Sequence, residues 1–380
     1  MKVCYVTHLP NLTGASQSLL DLLRALEGSE VEPVVLLGRH GPLEDVLQER
    51  GVPYTVIRYA NELKKDDSRL HTARKDALNL RAKPQVKAFL QAQGVELVHN
   101  NSMFVGIGMD CAKELGIPYI AHIRDYVEED HGLKLEHPKA QSKRVQEADA
   151  AIAVSKALAK AAEAKYGAPK TGILPLYDGV DVSRYYIAPE ERTQPLTDKP
   201  VELLLAGRIA PGKGQLDAVK AAARLNREHG DLFHLTLVGS VGVESYMDEI
   251  RAFVKDLPEG WVTIESFVDD LKELRSRTDI ALVCSSSEAM GRVTIESLLA
   301  GCLVVGANGG ATPELLDEGR GLLYEPGDIS GLADAIYKTS QLSPAEVRSA
   351  VARGQTFAQE NFALEKYAAS ILDLYHQLLP

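Results

Sequence analysis

Short β-branched runs alternate with longer segments of helical period along almost the whole chain. KVCYVTH is followed by SQSLLDLLRALEG, VEPVVLLG by PLEDVLQERG, VELVHNN by GIGMDCAKELG, and AAIAVS by KALAKAAEAKYG. The second half repeats the scheme: VELLLAGR then QLDAVKAAARLNREHG, FHLTLVGS then ESYMDEIRAFVKDL, DIALVCSSS then RVTIESLLAG, and LVVGA then TPELLDEG. Strands that are apolar on both faces need cover on both faces, and parallel neighbours need a crossover between them. The alternation therefore predicts parallel sheets with helices on either side. At 380 residues the chain is too long for one such unit, since domains usually run to roughly 100–200 residues. Residues 176–200 carry three prolines, many polar side chains and no periodicity, which reads as a linker. The expected fold is α/β, with two doubly wound Rossmann-like parallel-sheet domains at 1–180 and 181–362. The last stretch, ALEKYAASILDLYHQLL, reads as an amphipathic helix.

Composition closes off other classes. Hydrophobic residues make up 45% and charged residues 25%, which argues against disorder, collagen and a disulfide scaffold. The longest nearly apolar run, Leu298 to Ala307, is about half the roughly 20 residues that span a bilayer. The start, MKVCYVTHLP, reads as a strand rather than a signal peptide. Cys4, Cys111, Cys284 and Cys302 are widely separated in apolar segments, as reduced core cysteines of a cytoplasmic protein would be. The net charge of −11 is uneven: residues 1–180 hold 23 bases and 23 acids, residues 181–380 hold 19 and 30. That balance disfavours nucleic acid as a partner.

Ligands of open parallel sheets bind beyond the carboxyl ends of the strands, so the loops there are the candidates. GRIAPGKG (207–214) nearly spells a phosphate-binding loop, but Gly214 stands where Ser or Thr would hold magnesium. Arg208 and Lys213 there flank a turn ahead of a helix, a place to neutralise a diphosphate without metal. The competing reading is an ordinary turn with exposed bases. In SSSEAMGRVTIESLLAG (285–301), Glu288 precedes a helix starting near Gly291, and Glu296 lies about one turn inside. The free amides of Gly291, Arg292, Val293 and Thr294 suit an anion, and carboxylates suit vicinal hydroxyls. Acidic residues complementing the helix dipole are the alternative for either Glu alone. GIGMDC (106–111) ends on Cys111 where a dinucleotide fingerprint needs glycine, so helix–sheet packing is expected. His122 and Arg124, in AHIRD, are expected on a loop after a strand PYI, and Gly14 after the first strand permits close backbone approach.

With these residues laid out, the chain resembles the retaining glycosyltransferases of family 4, which have the GT-B fold of two such domains facing across a cleft. GRIAPGKG and the Glu288-x7-Glu296 spacing carry the likeness most specifically. TPELLDEGRGLLYEPGDISGLADAI, FVDDLKEL and ADAAIAVSKAL add to it, and NNS (100–102) with IPYIAHIRD resembles a bacterial branch working on surface polysaccharides. The resemblance implies that Arg208 and Lys213 bind the diphosphate of a nucleotide-sugar donor. Glu288, with the amides of Met290, Gly291 and Arg292, would contact the donor sugar. Val293 and Thr294 would meet the phosphate and Glu296 the ribose. Phe267 and Leu271 would flank the base, and Gly14 and His122 would face the donor from the first domain. Arg208, Lys213, Glu288 and His122 form the implied catalytic set. Helix 363–380 would return to the first domain. Ser266, the GSVGVES turn, Asp178-Gly179 and Gly14-Ala15 depart from the family pattern.

The expected activity is a hexosyltransferase reaction. A sugar, UDP-linked, moves to an acceptor hydroxyl with retention, and the leaving phosphate takes the acceptor's proton. Domain closure would exclude water. No metal or other cofactor is expected. The acceptor would be a glycan, glycolipid or protein-linked group in surface polysaccharide or glycoconjugate synthesis. Residues 62–87 hold eight bases and four acids, a patch for peripheral contact with the inner face of the membrane or, equally, a solvated face. A sugar phosphorylase, a nucleotide-sugar epimerase or a non-catalytic subunit of a glycosylation complex are the competing functions.

Overall fold

A computed structural model describes residues 1–7, 10–12, 14–65, 68–128, 132–192 and 200–379. The chain divides into two compact units, Met1–Val180 with Leu364–Pro380, and Asp181–Ala363.

The first unit contains strands β1 (Lys2–Thr7), β2 (Glu32–Leu37), β3 (Tyr54–Val56), β4 (Leu63–Lys64), β5 (Leu97–Asn100), β6 (Tyr119–Ile123), β7 (Lys134–Leu135), β8 (Ala150–Ala153) and β9 (Ile173–Pro175). Seven form one sheet in the order β3-β2-β1-β5-β6-β8-β9, every pair parallel. β4 and β7 form a small antiparallel pair. The winding reverses between β1 and β5, which places a switch point at their carboxyl ends. β1, β5, β6 and β8 are buried along nearly their full length, which is why they read as continuous apolar runs. The helix Ile107–Leu115 starts inside GIGMDC, and a Cβ on Gly108 would come within 2.7 Å of Val6 Cγ2. That glycine serves helix–sheet packing. The C-terminal helix Leu364–Leu378 buries Leu364, Tyr367, Ala368, Ile371, Leu374 and Tyr375, one helical face. Five of those six belong to the first unit's apolar core together with Tyr5, Leu19 and Leu97.

The second unit contains β10 (Val201–Ala206), β11 (Phe233–Val238), β12 (Val262–Glu265), β13 (Ile280–Val283), β14 (Leu303–Ala307) and β15 (Leu322–Tyr324). Their order is β12-β11-β10-β13-β14-β15, again all parallel. The switch point lies between β10 and β13. Leu203, Leu205, Leu235, Ile280, Leu282 and Val305 build the core against the helices Gln215–His229 and Ile329–Ser340. The stretch read as a linker is described up to Arg192. It carries a helix at Val182–Tyr185, and Arg192 donates to the carbonyls of Thr278 at 2.5 Å and Ala300 at 2.9 Å. Buried backbone acceptors of the second unit thus hold this segment in place, although it lacks periodicity of its own. Residues 193–199 of that stretch lie outside the described residues.

The four cysteines are free and buried. Among the described residues no helix is long and apolar enough to cross a membrane.

Candidate functional site

The loops after β10 and β13 meet at the second unit's switch point. The first, Gly207–Gly214, ends in a short 3-10 turn at Pro211–Lys213 and leads into the helix Gln215–His229. The second, Cys284–Gly291, leads into the helix Arg292–Leu299. Ser286 N–H donates to Gly212 O at 3.2 Å, tying one loop to the other. Gly214 explains the missing hydroxyl of the phosphate-loop motif. Its φ is +69°, and a Cβ there would sit 2.4 Å from the Cys284 carbonyl oxygen. The end of β13 passes too close for Ser or Thr, and L side chains rarely adopt that conformation.

Lys213, Glu288 and the helix start that follows Met290 come together at this junction. Lys213 Nζ donates to Glu288 Oε1 at 2.6 Å. Both side chains remain partly open, 34% and 19% exposed, so the pair faces solvent. Arg208 is exposed, with its stem lying over Gly242, and its guanidinium has no polar partner among the described residues. Met290 and Gly291 are buried, and Arg292 and Val293 are half-buried at the start of the helix. The first turn of a helix has no intrahelical acceptors for its amides, so Arg292, Val293 and Thr294 can offer N–H groups to an anion. Thr294 is fully buried and its hydroxyl has no partner among the described residues, so its amide is what it can offer to a ligand.

Glu296 is 9% exposed. A buried carboxylate needs compensation, and two arginines supply it. Arg275 Nη2 donates to one oxygen at 2.5 Å and Arg292 Nε to the other at 3.1 Å. Arg275 escaped the sequence reading. It sits on the short helix Lys272–Arg277, 2% exposed, with its guanidinium 5.6 Å from the Tyr185 ring centroid. A buried arginine inside an ordinary exposed-looking ELRSR run gives no local signal. Gly309 and Gly310 were also missed. Gly310, at φ +55°, lies so close under the Glu288 loop that a Cβ would be 2.3 Å from Glu288 O. Ala311 N–H donates to that same carbonyl at 2.7 Å. The consecutive glycines after β14 were the available clue.

Phe267 is 66% exposed and lines a recess of ≈ 310 Å³ with Ile209, Ser240, Val241, Glu265 and Ser266. This recess lies off the carboxyl ends of β10, β11 and β12. Leu271 does not line it and instead starts the helix that carries Arg275, accepting from Arg275 N–H at 2.8 Å.

Gly14 and His122 belong to the first unit. Gly14 precedes the helix Ala15–Ala25 with φ +49° and open space where a Cβ would be. His122 was expected on a loop, but β6 extends through Ile123, so His122 is a strand residue with 0% exposure. Its register pairing with Ile152 of β8 holds it there. Its Nδ1 lies 3.0 Å from His99 Nε2 and 3.2 Å from Arg124 Nη2. Arg124 is buried too. It donates to Asp178 Oδ2 at 2.5 Å and to Asn101 Oδ1 at 3.1 Å. Burial, then the Arg124 charge, then His99 hold His122 well below the ordinary histidine range. It is a neutral ring at pH 7.

Among the described residues, no group of three or more His, Cys, Asp or Glu is arranged to hold a metal ion.

Comparisons with known proteins match this architecture half by half. The family described as Glycosyltransferase Family 4 matches residues 12–184, and that described as Glycosyl transferases group 1 matches residues 200–341. The D-inositol 3-phosphate glycosyltransferase of Acidothermus cellulolyticus is 25% identical over 87% of this chain and 78% of the relative. A glycogen synthase of Mycobacterium tuberculosis is 28% identical over 61% of this chain and 55% of its own length. The crystal structure of Anabaena HepE in complex with UDP-glucose aligns with a TM-score of 0.79 at 21% identity, over 99% of this chain and 100% of that one. At that identity the structural likeness speaks to the fold. Two doubly wound sheets, each with its own family match in the same order along the chain, place this protein among the family 4 glycosyltransferases of GT-B fold.

Proposed function

We propose that the protein moves a hexose from a UDP-linked donor to an acceptor hydroxyl, with retention at the anomeric carbon and without a metal. The observation that carries this reading is the Lys213–Glu288 pair at the switch point, beside the open first turn of the helix Arg292–Leu299. One cation, one carboxylate and a set of free amides are what a sugar diphosphate needs. The anomeric C–O bond to the diphosphate breaks and a bond to the acceptor oxygen forms. The leaving phosphate oxygen takes the acceptor's proton. Negative charge grows on the diphosphate, where Lys213, Arg208 and the helix amides stabilise it. A preorganised donor of this kind contributes about 3–4 kcal/mol. Glu288 accepts from sugar hydroxyls, and Glu296, aimed by Arg275 and Arg292, accepts from the ribose. The Phe267 recess takes the base. The solved complexes of Anabaena HepE with UDP and with UDP-glucose support a uridine nucleotide.

The acceptor we favour is a glycan or glycolipid at an anionic membrane surface, in surface polysaccharide or glycoconjugate synthesis. The helix Arg69–Ala92 supports this reading. Leu70 and Leu80 are 65% and 71% exposed, and Ala73, Ala77, Arg69, Arg74 and Arg81 are exposed beside them. An apolar strip flanked by arginines suits a headgroup layer. Other bases of the 62–87 segment are already engaged. Lys75 donates to Leu63 O at 2.5 Å and lies 3.3 Å from Glu136, while Lys83 and Lys87 share Glu114 at 2.7 and 3.0 Å. Asp66 and Asp67 lie outside the described residues.

Nucleotide sugars screened for slow hydrolysis and for thermal stabilisation test the donor, and nuclear magnetic resonance of fresh product tests the stereochemistry. A UDP-hexose is expected to do both, with its anomeric configuration kept. An inverted product, or stabilisation by no nucleotide sugar, overturns the reading.

A further inference from the structure

Tyr185 ends the short helix Val182–Tyr185, in the stretch that reads as a linker, and is half-buried. The transfer step above does not use it. Its neighbours in the chain are fastened to the second unit. Asp181 caps the helix, accepting from Arg184 N–H at 3.3 Å. Arg184 Nη2 donates to the carbonyl and to the carboxylate of Asp269, at 3.1 Å each, in the loop that carries Phe267. Ile187 N–H donates to Leu299 O at 3.3 Å, and Gln355 Nε2 donates to Ile187 O at 2.9 Å.

The side chain held there reaches both arginines that grip Glu296. The Arg275 guanidinium lies 5.6 Å from the Tyr185 ring centroid, and that of Arg184 5.5 Å. Arg292 hydrogen-bonds to the Tyr185 hydroxyl. A guanidinium can only donate, so the hydroxyl accepts. Burial, then the nearby Glu296 charge, raise this phenol above its usual range, so it stays protonated at pH 7.

The two arginines repel each other, and the carboxylate between them does not by itself fix their spacing. Arg275 Nε has no hydrogen-bond partner among the described residues. The ring face attracts the Arg275 charge, and the hydroxyl takes a proton of Arg292. One residue thus sets the positions of both. With Arg275 on one oxygen of Glu296 and Arg292 on the other, each oxygen keeps a further acceptor site. Two adjacent acceptors on a fixed carboxylate match two vicinal hydroxyls. An aliphatic side chain fills the same space and holds neither cation.

We propose that Tyr185 is a positioning residue that spaces Arg275 and Arg292 and so aims Glu296 at a vicinal diol. That the diol is a ribose rests on the nucleotide-sugar reading, whereas the clamp on the two arginines does not.

Two measurements test this on the full chain. The first is calorimetric binding of UDP and of 2′-deoxy-UDP. The wild type should prefer UDP roughly tenfold or more, the worth of a hydrogen bond to a charged group. Tyr185→Leu should bring that preference to about threefold or less, with Tyr185→Phe in between. A side chain that only fills space would weaken both ligands alike, so a wild-type preference in a folded Tyr185→Leu protein overturns the proposal. The second is hydrogen exchange of the arginine side-chain N–H groups in the ligand-free, nitrogen-15-labelled protein. Tyr185→Leu should speed exchange at Arg275 and Arg292 several-fold. Arg320, buried against the Phe357 ring in the same unit, should stay as in the wild type and so report an intact fold. Unchanged exchange at both Arg275 and Arg292 overturns the proposal. If Tyr185→Leu does not fold, Tyr185→Phe decides: wild-type exchange at Arg292 together with a wild-type preference overturns it. A wild type that binds no uridine nucleotide, or ignores the 2′-hydroxyl, removes the ribose reading alone, and the exchange rates then decide the clamp.

Discussion

Lys213 Nζ and Glu288 Oε1 lie 2.6 Å apart although 75 positions separate them in the chain. The pair exists because β10 and β13 are neighbours and each ends in a loop at the same edge of the sheet.

Lys213→Ala and Arg208→Ala should each lower kcat by about 10²–10³, the usual effect of deleting a group that stabilises developing negative charge. Glu288→Gln should do the same. Thermal unfolding should move little in all three variants, because exposed pairs contribute about 0–1 kcal/mol. Initial rates under subsaturating donor are the measurement, and near wild-type turnover in both cation variants would rule the diphosphate assignment out.

Wild-type activity should persist in EDTA. Gly214 has no room for the hydroxyl that holds magnesium in a phosphate loop, since its Cβ would meet Cys284 O at 2.4 Å. Loss of turnover on chelation, restored by magnesium or manganese, would show that the phosphate site works differently.

Arg275→Met should be the most damaging of these changes to stability. The side chain is 3% exposed and its partner Glu296 12%. Removing one member of a buried pair costs about 3–5 kcal/mol. Arg292 still holds the other oxygen at 3.1 Å, which favours the lower end. Chemical denaturation should show that loss together with weaker nucleotide binding. A variant as stable as the wild type would mean that Glu296 needs no second arginine.

Stability should fall as the pH drops from 7 to 5. His99 and His122 are held neutral in the folded state, His99 down to about 3, chiefly by burial. In the unfolded chain both take up a proton near pH 6.5. Below that pH the unfolded state binds more protons, so the equilibrium shifts toward it. Each histidine then contributes a loss of roughly 2 kcal/mol between pH 7 and 5. His99→Gln should flatten the curve by about that amount. Denaturant titrations at the two pH values measure it, and a pH-independent midpoint would contradict it.

Replacing Arg69, Arg74 and Arg81 together by Ser should weaken binding to anionic vesicles about a hundredfold at low salt, at ~1 kcal/mol per base. Added salt should act in the same direction, since the attraction decays over about 8–10 Å. Lys75 is a poor choice for this test because it is tied to Leu63, Asn61 and Glu136. Turnover on a soluble acceptor should not change. A wild type that ignores anionic vesicles would make the helix an ordinary solvated face.

Much of this protein could be read without coordinates. Strands such as Val201–Ala206 and helices such as Gln215–His229 are written in local periodicity, because burial on one face or both leaves its period in the residues themselves. The turn with Arg208 and Lys213, and the pair Glu288 and Glu296, are equally local: each lies at a strand end beside a helix start. Which loops meet is not local. The Lys213–Glu288 contact, the Arg275 counter-charge on Glu296 and the approach of Gly214 to Cys284 all depend on β10 lying against β13. His122 looked like a loop residue because nothing in AHIRD says where β6 stops pairing with β8. Its neighbours His99 and Asp178, and Tyr375 behind His99, come from three other segments of the chain. Electrostatics and hydrogen bonding act through space over a few ångströms, so a group's charge state and role are set by whatever the packed sheets and helices bring beside it.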